Sequence, residues 1–376
     1  MNSVKRKLHG MIKQQMFKGK VILLTGPRQV GKSTLLHTLC EESGEYLFLD
    51  GDDPDVRAQL NTPNFQQLKA LIGSYKIVFI DEAQRIQNIG LSVKMIHDRI
   101  KGIQVLVSGS SSLDLGNRLQ ETLTGRKWEY QMHPISWQEW QDYQGYLAVS
   151  QQLENRILYG MYPDVLNHPG QEKQVLKELT KSYLYKDILA ITGIRKPDVL
   201  EKLVKALAYQ VGSEVSYNEV AQLIGVDKNT VSAYIELLEK AFVVYRLNPY
   251  GGNERNEIRQ NKKIYFYDTG IRNAVINNFN PLDLRKDKGA LWENFLINER
   301  MKLCDYNKHE VRRYFWRLVQ GREVDYIEEV NDNLCAYEFK WKDNGKTKIP
   351  LAFANRYESD FKVIDTSNFT SFITQA

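Results

Sequence analysis

"TGPRQVGKST", residues 25–34, decides how the first third of the chain folds. It sets Gly26, four intervening residues and then Gly31-Lys32-Ser33 between the apolar run "VILLT" and the helix-forming "STLLHTLC", the strand–loop–helix setting of a phosphate loop. Glycines let such a loop curl until backbone N–H groups converge on phosphate oxygens, and the helix that follows adds the partial positive charge of its N-terminus. Gly26, Pro27, Arg28, Gln29, Val30, Gly31, Lys32, Ser33 and Thr34 together read as the cradle for a nucleoside triphosphate. Lys32 supplies an ammonium to the outer phosphates, and the Ser33 hydroxyl is a ligand for Mg2+. ATP and Mg2+ are therefore the expected cofactors. A Gly-rich turn that binds nothing is the bland alternative, and it requires both flanks to be accidents.

Working outward, "VILLT", "YLFLD", "KIVFID" and "IQVLVSG" are apolar β-branched runs separated by helix-like stretches between about residues 20 and 132. That alternation predicts an α/β fold, a largely parallel sheet with helices on both faces. "KIVFIDEAQ" ends its strand in two adjacent carboxylates. Downstream of a phosphate loop, Asp81 is the expected metal residue and Glu82 the residue that polarises an attacking water, so hydrolysis is expected rather than binding alone. Standing alone, the pair reads as a solvated strand end. "VSGSSS" offers Ser110 as a sensor of the terminal phosphate or as a helix cap. "LTGRKWEY" offers Arg126 as a charge-stabilising arginine, near the site or at a boundary between subunits of a homo-oligomer, or else as half of a surface salt bridge.

The whole chain has 376 residues, 42% of them hydrophobic and 26% charged, a length that suggests roughly two to three domains. No apolar run approaches the length of a membrane span, and the basic N-terminus lacks the apolar core of a secretory signal. A cytoplasmic location is expected. Cys40, Cys304 and Cys335 are far apart and lack CxxC spacing, which argues against a structural zinc site. A net charge of +5 permits a polyanionic partner without requiring one. Motif content divides the chain into residues 1–145, a helical region over 146–284 and an αβ region over 285–376.

"SYNEVAQLIGVDKNTVSAYIELLEKAFVVYRL" puts Val220, Ala221 and Ile224 on one helix, a turn at Gly225-Val226, and Val231, Ile235 and Leu238 on a second helix, followed by a strand. This fits a helix-turn-helix. In a DNA reader the second helix would offer Lys228, Asn229, Thr230 and Ser232 to the major groove, and Arg255, Arg259, Lys262 and Lys263 would form a wing on the phosphates. A module that docks protein rather than DNA is equally compatible with the pattern.

"LLTGPRQVGKSTLL", "FIDEAQRI", "VSGSSS", "LTGRKWEYQMHPISWQEW" and "GMYPDV" resemble the bacterial and archaeal AAA-type P-loop ATPases whose C-terminal region is a domain of unknown function. The resemblance implies an ATPase core, a helical and winged-helix middle with the winged helix over about 213–268, and a terminal domain similar to PD-(D/E)XK restriction endonucleases. The roles of "LTGR" and "GMYPDV" do not follow from the residues themselves.

Restriction-like nucleases hold a metal between carboxylates from a helix and from neighbouring strands, with a lysine positioning water. The chain offers Glu293 in "ALWENFLINER", Asp325 in "EVDYI", and Glu338 with Lys340 in "YEFKW". In that reading Glu293, Asp325 and Glu338 are metal ligands, and Glu338 and Lys340 are catalytic. A plain amphipathic strand has the same alternation. Hairpin parity separates the two readings: an even loop around "NDN" without a bulge sets Asp325 on the face of Glu338, and an odd loop sets it behind the sheet. The resulting expectation is an ATPase that acts on DNA through a nuclease-like region, or a nucleotide-switched ATPase whose nuclease-like region is silent and docks a protein.

Overall fold

In the computed structural model, which describes residues 4–110, 122–181, 197–251, 261–318 and 321–375, the four apolar runs of the N-terminal third are strands. They are β1 (Val21–Thr25), β2 (Tyr46–Asp50), β3 (Ile77–Asp81) and β4 (Gln104–Gly109), joined by a fifth, β5 (Lys127–Gln131). All pair in parallel, in the order β2-β3-β4-β1-β5. Alternate residues of the strands fill opposite faces. Val21, Leu23, Val78, Ile80, Val105 and Val107 pack with Leu60, Leu68, Ile72, Val93 and Ile96 from the helices Pro54–Asn61, Phe65–Ile72 and Ile89–Arg99. The helix Lys32–Ser43 packs on β3 and β4. Both faces of β1, β3 and β4 are covered, which is why they read as continuous apolar runs. "KWEYQ" carries no such run; β5 lies at one edge of the sheet, with Trp128 partly exposed beneath the Lys20 ammonium, 4.1 Å from the ring centre, while β2 at the other edge keeps an apolar run with Phe48 exposed.

The chain divides into two compact units: residues through Ile135 together with Lys240–Phe242, and Ser136–Glu239 with Val243–Ala376. The expected middle and C-terminal regions thus share one unit. They also share one seven-stranded sheet, in the order β12-β11-β10-β9-β7-β8-β6. Its strands are β6 (Glu214–Val215), β7 (Val244–Pro249), β8 (Lys262–Phe266), β9 (Arg312–Arg317), β10 (Glu323–Val330), β11 (Asn333–Phe339) and β12 (Ser359–Ile364). A parallel pairing of β7 with β9, through Asn248↔Tyr314 and Pro249↔Phe315, joins the two halves of this sheet.

The helix-turn-helix pattern is realised as Tyr217–Ile224 and Lys228–Lys240. Gly225 ends the first helix at φ 74°, a left-handed conformation that suits glycine. Lys288–Tyr306 is the central helix of the unit, buried on nearly all sides. Two asparagines fasten it to β8: Phe266 N–H donates to Asn294 Oδ1 at 3.1 Å, and Asn294 Nδ2 and Asn298 Nδ2 donate to Phe266 O at 2.8 and 2.9 Å.

"GMYPDV" has a structural role. The buried Asp268 carboxylate accepts from Met161 N at 2.7 Å and from Ile271 N at 3.1 Å, tying this segment to the helix Thr269–Val275. Gly160 sits so close that a Cβ there would meet Asp268 Oδ1 at 1.9 Å, and Gly160 also adopts φ 74°. No described helix is long and apolar enough to cross a membrane.

Candidate functional site

In the N-terminal unit the site forms where β1, β3 and β4 end on the same edge of the parallel sheet, the usual place for a ligand in such folds. The phosphate loop leaves β1 and turns through Gly26 at φ 145°, Gln29 at φ 61° and Gly31 at φ 94° before entering its helix. Gly26 is required by space as well as by conformation, because a Cβ there would lie 2.1 Å from Met132 O. Arg6 braces the loop, donating to Val30 O at 2.8 Å and His133 O at 2.6 Å.

Lys32 is 5% exposed, and its Nζ donates to Gly26 O at 3.0 Å and Pro27 O at 2.6 Å. Burial lowers its pKa to about 8, with Glu82 and Asp81 working in the opposite direction. Ser33 is half-buried and Thr34 exposed just inside the helix start.

Asp81 ends β3, and its Oδ1 accepts from Ser108 Oγ and, at 3.0 Å, from Glu82 N. Ser108 lies on β4 and Ser110 just past its end, and their hydroxyls bond to Asp81 and to Gln84 respectively. Sequence reading selected Ser110 and passed over Ser108, although the "SGS" spacing carried the signal. Glu82 adopts φ 45°, ψ 39°, a sparsely populated conformation for a residue with a side chain. Gln84 Nε2 donates to Glu82 Oε2 and, at 2.9 Å, to Ser110 Oγ. Gln84 Oε1 is buried without a hydrogen-bond partner. Burial raises the Glu82 pKa from its ordinary value, against the pull of Lys32. Gly51 packs against this corner, where a Cβ would meet Glu82 O at 2.5 Å.

Mg2+ favours oxygen ligands, and the Ser33 hydroxyl and Asp81 carboxylate are donors of that kind. They fit the ion that accompanies ATP.

Arg126 is placed elsewhere. Its backbone precedes β5, and its carbonyl accepts from Val21 N at 2.9 Å, at the edge of the sheet opposite the phosphate loop. Its side chain donates to Asp98 at 3.0 Å. Within its own chain Arg126 forms a surface salt bridge, and the expected role at the phosphates is corrected accordingly: parallel pairing with β1 sends the two ends of the strand to opposite sides of the domain.

In the second unit the hairpin test comes out even. β10 and β11 pair from Val330↔Asn333 to Tyr326↔Tyr337 around the two-residue turn Asn331-Asp332, both at positive φ. One step further, Asp325 comes opposite Glu338; the bulge in β10, between Val324 and Ile327, lies on the side of β9. Lys340 Nζ donates to Glu338 Oε1 at 2.6 Å, and Phe339 N to Asp325 Oδ2 at 2.8 Å. Burial raises the pKa of both acids, and in Glu338 the neighbouring Asp325 adds to the effect.

Two further residues complete the cluster, and neither was singled out for it. Glu323 joins Glu293 and Asp325 in a group whose oxygens come within 4.8 Å of one another. Its signal was present in "EVD", since residues two apart on a strand share a face. Lys263, expected on a phosphate-gripping wing, is instead buried at 1% exposure, with Nζ 2.9 Å from Glu293 Oε1 and ion-paired to Glu323 Oε1. The wing assignment of Lys263 is therefore corrected: β8 is an interior strand, and this side chain points at the acids. Tyr265 OH also donates to Glu293 Oε1. Arg255 and Arg259 lie outside the described residues. Lys228 and Asn229 are exposed at the start of their helix, Ser232 is half-buried, and Thr230 is engaged by Asp227 through its N–H at 2.9 Å and its hydroxyl at 2.6 Å.

One family match spans the stretch that holds the first of these sites. Residues 18–141 match the model of an AAA domain, and residues 150–282 and 288–370 match two domains of unknown function, DUF8612 and DUF4143. An uncharacterised protein of Mycobacterium tuberculosis is 28% identical over 336 residues, covering 88% of this chain and 72% of that protein. One from Haemophilus influenzae is 25% identical over 298 residues, covering 73% of this chain and 72% of the relative. Among solved structures, the Walker-type ATPase of Pyrococcus abyssi superposes with a TM-score of 0.51 at 15% identity, over 73% of this chain and 96% of that one, a likeness of fold. The chain carries an AAA-type P-loop ATPase domain.

Proposed function

We infer that this chain is an ATP-hydrolysing switch in which turnover at the phosphate loop drives a change of state in the second unit. Lys32 and the loop amides hold the outer phosphates, Ser33 and Asp81 hold Mg2+, and Glu82 takes the proton of the attacking water. The observation that carries this reading is the bridge from Gln84 to both Glu82 and Ser110: it fixes the base against the neighbouring strand and leaves Gln84 Oε1 as a buried acceptor beside it, suited to a water O–H. Phosphate release by wild type, Lys32→Ala and Glu82→Gln, with and without DNA, tests it; equal turnover in all three proteins would overturn it.

For the second unit two readings are supported by different observations. The two helices Tyr217–Ile224 and Lys228–Lys240, with the antiparallel β7 and β8, fit a winged helix able to contact DNA. The Asp325–Glu338 register fits a nuclease-like site, which predicts Mn2+- or Mg2+-dependent cleavage lost in Glu338→Ala. The alternative is a nucleotide-switched protein that captures a protein partner on a silent nuclease-like region. It predicts partner capture that is sensitive to Lys32→Ala and indifferent to Glu338→Ala, and the Lys263 contacts favour it.

A further inference from the structure

The acid cluster of the second unit contains a cation of its own. Lys263 is an interior residue of β8, paired to Leu247 on one side and Glu214 on the other. Its strand is clamped to the central helix by the three hydrogen bonds between Phe266 and the asparagines Asn294 and Asn298. The side chain is held in place by that clamp and by packing: Nζ lies 5.4 Å from the centre of the Phe315 ring and bonds to Glu293 and Glu323. An ammonium has three N–H donors and no acceptor, so a set of converging carboxylates satisfies it.

The same arrangement leaves little for a metal. Glu293 Oε1 already accepts from Lys263 and Tyr265, Asp325 Oδ2 accepts from Phe339 N, and Glu338 Oε1 accepts from Lys340. A divalent ion takes carboxylate oxygens at about 2.0 to 2.6 Å, so an ion bridging Glu293 Oε1 and Glu323 Oε1 would have to stand where Nζ stands. Counting charges, Glu293, Glu323, Asp325 and Glu338 face Lys263 and Lys340, which leaves an acidic excess. The donor set therefore suits a metal in type and spacing but does not fit one while Lys263 is in place.

We propose that the Lys263 ammonium is the resident cation of this cluster, a lysine supplied by β8 standing where a nuclease-like site would hold its divalent metal. The cluster is thereby a lysine-filled relic of a metal site that stabilises the junction of β8, β10 and the central helix. This bears on the nuclease-like reading of the second unit and is independent of the chemistry at the phosphate loop.

Mn2+ binding to the full-length, nucleotide-free protein, followed by electron paramagnetic resonance, tests the proposal on wild type, Asp325→Asn, Lys263→Met and the Lys263→Met/Asp325→Asn double variant. Expected is the same Mn2+ uptake by wild type and Asp325→Asn, and one additional bound Mn2+ in Lys263→Met that the double variant loses. A Mn2+ site in wild type that Asp325→Asn removes would overturn it, as would a folded Lys263→Met protein that gains no site. Should Lys263→Met not fold, as judged by circular dichroism, the comparison of wild type with Asp325→Asn still decides. ATP turnover measured in the same samples separates failure of this proposal from failure of the ATPase reading.

Discussion

Lys32 Nζ donates to Pro27 O at 2.6 Å, so the lysine of the phosphate loop is folded back on the loop it serves. ATP binding must exchange this bond and the one to Gly26 O for phosphate oxygens, a trade of neutral acceptors for charged ones. Lys32→Ala is expected to weaken ATP binding roughly 10- to 100-fold, the range of about 1.5 to 3 kcal/mol for a hydrogen bond to a charged group, and to abolish turnover. Isothermal titration with ATP and Mg2+ measures the first, and phosphate release the second.

In the proposed mechanism Glu82 and Gln84 act at a later step. Glu82→Gln keeps the shape of the side chain and removes the base, so ATP should still bind while turnover falls about 10²- to 10⁴-fold. Gln84→Ala frees Glu82 from Ser110 without removing its carboxylate, so a smaller loss is expected, in kcat rather than KM. Steady-state kinetics on the two variants checks the order; a Glu82→Gln protein that turns over like wild type would remove Glu82 from the mechanism.

Gly160 is expected to tolerate no side chain. Alanine there would drive Cβ into Asp268 Oδ1 at 1.9 Å while holding φ at 74°, and would displace the carboxylate that caps Met161 and Ile271. Gly160→Ala should destabilise the fold by about 3 kcal/mol, the scale of losing a buried polar network with backbone strain added. Chemical denaturation checks this, with Gly170→Ala, an open position also at positive φ, separating strain from collision.

Asp287 supplies a pH dependence. Burial opposes its charge, but Arg285, at 2.7 Å, and Arg272 prevail and lower its pKa to about 2 from an ordinary 3.8. A carboxyl whose pKa is lower in the folded state stabilises the protein fully above its unfolded value and loses that contribution as the pH falls through the folded value. The corresponding acid loss should therefore run from about pH 4 down to about pH 2. Asp287→Asn should flatten that limb, and at neutral pH cost about 3 kcal/mol by leaving two buried guanidinium groups without their carboxylate. Thermal melts across the acid range read both effects.

Much of the first unit was legible in the chain because its signals are local. The phosphate loop is one contiguous stretch, and β1, β3 and β4 are buried on both faces and so appear as apolar runs; β2 keeps such a run at one edge of the sheet, while β5, at the other edge, carries "KWEYQ" without penalty. Asp81, Glu82 and Ser110 could be proposed from the sequence because each stands at or just past a strand end, where the following turn fixes its neighbours. Even the parity of the β10–β11 hairpin could be posed as a question about loop length, which Asn331-Asp332 then answered.

Strand order was decided in three dimensions. Arg126 moved away from the phosphates because β5 runs parallel beside β1, and Lys263 moved into the acids because β7 pairs with β9 and brings β8 within reach of the central helix. A residue's own neighbours in the chain fix its secondary structure and the face it shows. Which distant charge it meets depends on how sheets close and helices dock, and "NKKIYF" has no means of recording that a glutamate thirty positions later will take its lysine as a counter-ion.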